Sequence, residues 1–230
     1  MRLTTRFTAC WVAAAALAAA AGCAAAPAPQ SPNTAATNGA PIKVDSSSQS
    51  SPFVGIELGK PFAKPNFTLT DSAGRPYDFD QQTDGKLTLL YFGYTHCPDV
   101  CPTTMADLAA ALRALPAAER AKITVVFVST DPTRDTPAVL HTWLDQFNPA
   151  FIGLTGAFGT IQQAASALGI PVFPPATSAS GNYTVTHGAE VLAFNTDNKA
   201  HVVYTAGTTV GQYDHDFPLL LSGVDMQGAG

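Results

Sequence analysis

Cysteine is scarce in this chain, with four residues in 230. Only Cys97 and Cys101 lie close together, and one close pair is not the framework of a disulfide-stapled fold. Charge is also thin, at 13% of residues, and there is no basic surplus: the formal net charge is −5. That balance excludes nucleic acid as an expected partner. A long membrane span is missing too. The most apolar stretch near the N-terminus, Phe7 to Ala21, is about fifteen residues long, too short to cross a bilayer comfortably as a mature helix. No internal repeat is visible.

The first residues have an order of their own. Arg2 and Arg6 are followed by the Ala-rich apolar run and a small-residue exit, Ala20-Ala21-Gly22-Cys23. A basic start, a short apolar middle and small residues at the end make a secretory signal. Small residues directly before a Cys resemble a bacterial lipobox, and the resemblance implies lipidation at Cys23. The alternative is an ordinary signal peptide cut nearby, with Cys23 a spare thiol. Residues 24–52 are mostly Ala, Pro, Ser, Asn and Gln, too poor in apolar surface to offset the entropy of ordering. About thirty such residues reach on the order of 30 Å. The expected organisation is therefore a signal peptide over 1–22, a lipid-anchored disordered tether over 23–52 and one domain over 53–230, on the extracytoplasmic face of the cell membrane. Removing the signal takes away two arginines and no acids, which leaves 10 basic residues against 17 acidic ones.

Within the domain, Leu87 to Gly93 and Ile123 to Ser129 are apolar runs that read as buried parallel strands. Thr103 to Leu115 lies between them with helical spacing. A second helix is expected over Pro137 to Phe147, with Thr136 as N-cap and Pro137 in the first turn. A short strand over Phe151 to Leu154 and a helix over Phe158 to Leu168 follow. Glu190 to Asn195 and His201 to Thr205 read as an antiparallel hairpin. A last helix falls within Val210 to Leu221, where Pro218 is expected to kink or divide it. Asn66 to Thr70 and Pro76 to Phe79 form an extra N-terminal hairpin. The fold class is α/β: a thioredoxin-like mixed sheet flanked by helices.

Cys97 and Cys101 follow the first long strand, at a helix start. Pro102 suits the first helical turn, which sets Cys101 at or beside the N-cap and Cys97 about one turn earlier. A helix N-terminus favours negative charge, and thiolates are the form that binds soft metals or attacks disulfides. Three residues separate the pair, one more than in the common redox spacing, which leaves room for a metal. Two thiolates suit Cu(I), and an added imidazole suits Cu(II).

The segment from Tyr91 to Thr104, YFGYTHCPDVCPTT, resembles the signature of the Sco/SenC family. So do Val128 to Pro137, Phe151 to Gly156, and Tyr183 to His187, in the family's order. The resemblance implies a thioredoxin-like copper-binding protein that helps assemble the copper centre of cytochrome c oxidase, a non-enzymatic metallochaperone whose partner is the copper-centre subunit. It maps the copper ligands onto Cys97, Cys101 and His187. The family usually has Asp before this His and Ser after it; here they are Thr186 and Gly188, a departure that bears on how the imidazole is oriented.

Other readings stand beside this one. Cys97 and Cys101 also suit an extracytoplasmic thiol–disulfide oxidoreductase. His187 alone reads as a polar loop histidine. Asp131, at the strand edge where open α/β sheets place their sites, reads either as a turn residue before Pro132 or as a support for the metal ligands. Arg134 and Asp135 are assigned to the turn, and Tyr91 and Phe92 to the core. His96 is expected to influence Cys97 rather than to bind metal.

Overall fold

The computed structural model describes residues 51–174 and 183–223, all within one compact unit. The signal segment, Cys23 and nearly all of the tether lie outside the described residues. No helix among the described residues is long and apolar enough to cross a membrane.

Eight strands form one sheet. They are β1 (Ile56–Ala63), β2 (Thr68–Asp71), β3 (Pro76–Asp78), β4 (Leu87–Gly93), β5 (Ile123–Ser129), β6 (Ile152–Thr155), β7 (Val191–Phe194) and β8 (Lys199–Tyr204), in the order β1-β8-β7-β4-β5-β6-β2-β3. The pairs β4–β5 and β5–β6 are parallel. The other pairs are antiparallel. Every residue of β4 is buried, as its unbroken apolar run requires of a central strand.

Strand alternation divides the core in two. Leu87, Leu89 and Tyr91 join Val125, Phe127, Ala193 and Tyr204 on one face. The helices α2 (Val100–Ala114), α4 (Pro137–Leu144) and α6 (Val210–Ser222) cover that face with Met105, Leu108, Leu140, Tyr213 and Phe217. Leu90 and Phe92 point to the other face, which α5 (Phe158–Ala167) and the one-turn helix α1 (Phe79–Gln82) cover. A further single turn, α3 (Ala117–Arg120), links α2 to β5.

The N-terminal hairpin is present, with Leu69 opposite Tyr77, and it joins the sheet through β6. Thr136 caps α4 by accepting from the Val139 N–H, with Pro137 in the first turn, as its sequence requires. Three expectations change. The edge strand β1 was not foreseen, because Gly59 and Pro61 interrupt its pattern. An edge strand tolerates both, and its register against β8 slips between Glu57 and Phe62. The helix α2 begins at Val100, with Asp99 as its N-cap, so Cys101 lies inside the first turn rather than at the cap. Finally, α6 runs unbroken through Pro218. Pro218 is exposed while Tyr213, Phe217 and Leu220 are buried, so the hydrogen bond that proline removes is lost on the wet side.

Candidate metal centre

The strand β4 ends at Gly93, and the chain turns immediately, with the Cys97 N–H bonding the Tyr94 carbonyl at 3.2 Å. This turn and the first turn of α2 place both sulfurs over the end of the sheet. Cys101 is fully buried and Cys97 is 8% exposed. Both are free thiols. The Cys101 N–H donates to the Cys97 sulfur at 3.5 Å, so a free amide of the helix start is directed at the earlier cysteine.

His187 arrives from the other side of the sheet's end. It bridges Val172 in a one-residue antiparallel contact, which pins the segment before β7. Its ring stands edge-on to Tyr91 and Tyr94, with centroids 6.2 and 5.5 Å apart. Its Nδ1 faces the Gly188 carbonyl, an acceptor, so Nδ1 carries the proton. The lone pair on Nε2 therefore points at Cys101 Sγ, 3.5 Å away. One ligand atom from each of Cys97, Cys101 and His187 lies within 4.8 Å of the others, which makes the three a compact donor set.

Protonation of Cys101 and His187 is set mainly by burial. Desolvation pushes the Cys101 thiol up to about 12, although the Tyr91 hydroxyl and the Tyr94 backbone pull the other way. The expectation that the helix start makes both sulfurs ready thiolates fails for Cys101, because burial outweighs the dipole. Burial also holds the His187 imidazole below its ordinary value, hence neutral and able to ligate. The Tyr91 hydroxyl donates to Cys101 at 3.5 Å. The chain of bonds then runs from Tyr91 O–H to sulfur, from S–H to Nε2 and from Nδ1–H to the carbonyl. A soft cation held by both sulfurs would displace one proton from each thiol and leave the Tyr91 O–H and the Nδ1–H bonds in place.

Asp131 is fully buried, but it touches neither sulfur. Its carboxylate accepts from the Tyr183 hydroxyl at 2.9 Å and from Arg134 Nε. The Arg134 guanidinium sits over the Tyr183 ring, 3.7 Å from its centroid, and donates to the Tyr183 carbonyl at 3.2 Å. Asp131 and Arg134 thus grip the chain four residues before His187. Asp135, read from sequence as a turn residue, is also fully buried. It accepts from Thr95 N–H at 3.0 Å, Thr95 Oγ1 at 2.6 Å and Ser129 Oγ at 2.7 Å, which ties the cysteine turn to the end of β5. His96 lies at the surface beside it, with Nδ1 3.0 Å from Thr95 Oγ1, and is not part of the donor set. Sequence reasoning missed Asp135 and the Tyr91 hydroxyl. An acid in a Pro-flanked turn and an aromatic residue in an apolar strand carry no signal of what they touch.

The remaining histidines serve elsewhere. His141 pairs with Asp145 at 2.9 Å on the surface of α4, and His201 pairs with Asp197 at 2.8 Å. His215 contacts Asp216 at 2.7 Å. Asp216 itself is fully buried. Its two oxygens accept the Val54 and Gly55 N–H groups at 2.9 and 2.8 Å.

Comparison with known proteins places this geometry. The model of the SCO1/SenC family matches residues 57–217. The mitochondrial protein SCO2 of Saccharomyces cerevisiae is 41% identical over 107 residues, covering 46% of this chain and 34% of its own length. The chain spans less than two thirds of the length of the curated relatives it matches. Among solved structures, copper-bound ScoI of Bradyrhizobium japonicum is 32% identical with a TM-score of 0.60, over 70% of this chain and 98% of that one. Apo Sco1 from Thermus thermophilus is 32% identical with a TM-score of 0.65, over 73% and 96%. The thioredoxin-like fold is common to them.

Proposed function

The chain belongs to the SCO1/SenC family, and from that premise we propose that it is a copper-binding assembly factor for the copper centre of cytochrome c oxidase. It holds Cu(I) through Cys97 and Cys101, and Cu(II) through the same sulfurs with His187. Its partner is the copper-centre subunit. It works at the outer face of the cytoplasmic membrane, tethered through a lipid on Cys23.

The observation that carries this reading is the convergence of two sulfurs and an imidazole nitrogen within 4.8 Å. Two soft donors suit Cu(I), and a nitrogen donor extends the range to Cu(II). A closed structural zinc site uses four protein ligands, and three converge here among the described residues. The protein acts as a carrier rather than as an enzyme. Its cysteines must be reduced to hold the metal, so a disulfide between them is an off state.

Parallel titration of the reduced protein with each copper oxidation state tests the ligand set. Cys97→Ser and Cys101→Ser are expected to abolish tight binding of both. His187→Ala is expected to weaken Cu(II) strongly, to change its absorption and paramagnetic resonance spectra, and to spare Cu(I) far more. Unchanged Cu(II) affinity and spectra in His187→Ala would overturn the ligand set.

A second reading, thiol–disulfide exchange by Cys97 and Cys101, has one observation in its favour. The sulfurs lie within one turn of each other at a helix start, with the Cys101 N–H on the Cys97 sulfur. The imidazole of His187 against Cys101 weighs against it, because exchange needs two sulfurs and no third donor.

A further inference from the structure

Glu190 stands three residues after His187, at the entrance to β7. Its Oε2 is shut off from solvent and has no hydrogen-bond partner among the described residues. A carboxylate oxygen in that position is costly unless something positive faces it. Its location is fixed by Gly188. A Cβ on Gly188 would lie 2.3 Å from Glu190 Oε2 and 2.7 Å from Ile170 Cγ2, so the glycine leaves the space that the carboxylate occupies. The negative charge reaches the ligand histidine. Burial holds the imidazole low, while the Gly188 carbonyl and the Glu190 charge oppose it.

We propose that Glu190 sets the charge of the copper site, with its half-buried carboxylate favouring Cu(II) over Cu(I) beside His187. This rests on the copper-binding function argued above. Two thiolates with Cu(I) carry one net negative charge, and with Cu(II) they are neutral. A further negative charge close by repels the first complex and leaves the second less affected. The one-electron step from Cu(II) to Cu(I), with the electron supplied by an electrode or mediator, is therefore made harder. The residue before His187 is Thr186, not an acid, and Glu190 lies on the strand side, over Gly188.

The test compares wild type, Glu190→Gln and the double variant Thr186→Asp/Glu190→Gln, each reduced and metal-free at the start. Without metal, Glu190→Gln is expected to melt higher than wild type, because a charge with one buried, unpartnered oxygen is gone. With metal, its Cu(II) affinity relative to Cu(I) is expected to fall about tenfold, the scale of one charge acting through protein over several ångströms. That ratio corresponds to a rise of about 59 mV in the one-electron potential. The double variant, with the acid moved to the other side of His187, is expected to regain Cu(II) preference. An unchanged Cu(II)/Cu(I) ratio in Glu190→Gln overturns the role of Glu190 while leaving copper binding intact. So does a lower metal-free melting point with no recovery in the double variant, which would make Glu190 merely structural. A wild-type protein that binds neither oxidation state overturns the function itself.

Discussion

Gly93 has no side chain because the site leaves no room for one. A Cβ there would lie 2.6 Å from the Tyr91 ring, 2.9 Å from Cys101 Sγ and 3.0 Å from the Phe127 ring. The glycine lets the buried sulfur rest on the end of β4. Gly93→Ala is expected to cost about 1–3 kcal/mol, the usual price of overpacking a core. It should also shift Cys101 and weaken both copper states together. Urea unfolding read alongside copper titration checks this, and an unchanged unfolding midpoint would refute it. At this scale the sequence was legible where chemistry has a signature. Two cysteines close together at a helix start are rare, reactive residues whose spacing limits what they do, whereas His187, one of five histidines, stood out only through the family resemblance. The Asp135 carboxylate, which ties Thr95 to Ser129, was not legible, because its partners come from two separate strand ends.

Among the elements, the important connection runs from the turn after β5 to the segment that carries His187. Asp131 holds Arg134 and Tyr183, and Arg134 stacks on Tyr183 and bonds its carbonyl. A lysine retains the charge of Arg134 but has neither the planar fork nor the flat face. Arg134→Lys is therefore expected to loosen residues 183–188 by roughly 0.5–2 kcal/mol. Faster amide hydrogen exchange in that segment, with lower Cu(II) affinity and little change in Cu(I) affinity, is the predicted outcome. Exchange rates equal to wild type would show that the grip does not order the ligand segment. The main elements of this region were readable from periodicity and caps. The start of α2 was not. A residue before proline resists the helical conformation, yet Cys101 adopts it here, held by its buried sulfur and by the helix packed behind it. The continuity of α6 likewise depends on which side of the helix Pro218 faces, and packing decides that.

At the scale of the whole molecule, a metal carrier must be kept near its recipient, and the proposed lipid on Cys23 does this. Cys23→Ser is expected to move the protein from the membrane fraction to the soluble fraction or to block its processing. A wild-type protein found wholly soluble and unacylated would sink the tether. The sheet's central strands were plain in the sequence as long apolar runs, but its outer edge was not, since β1 is defined by its pairing with β8 and by no pattern of its own. Asp216 sits where that edge begins, bonding the Val54 and Gly55 N–H groups. Tension arriving along the chain from its N-terminal side is met first by these two bonds and passed into α6, which lies against α2. The edge strand is thereby shielded from peeling, and a pull from that side is borne first by a buried carboxylate and by α6 rather than by the ladder between β1 and β8.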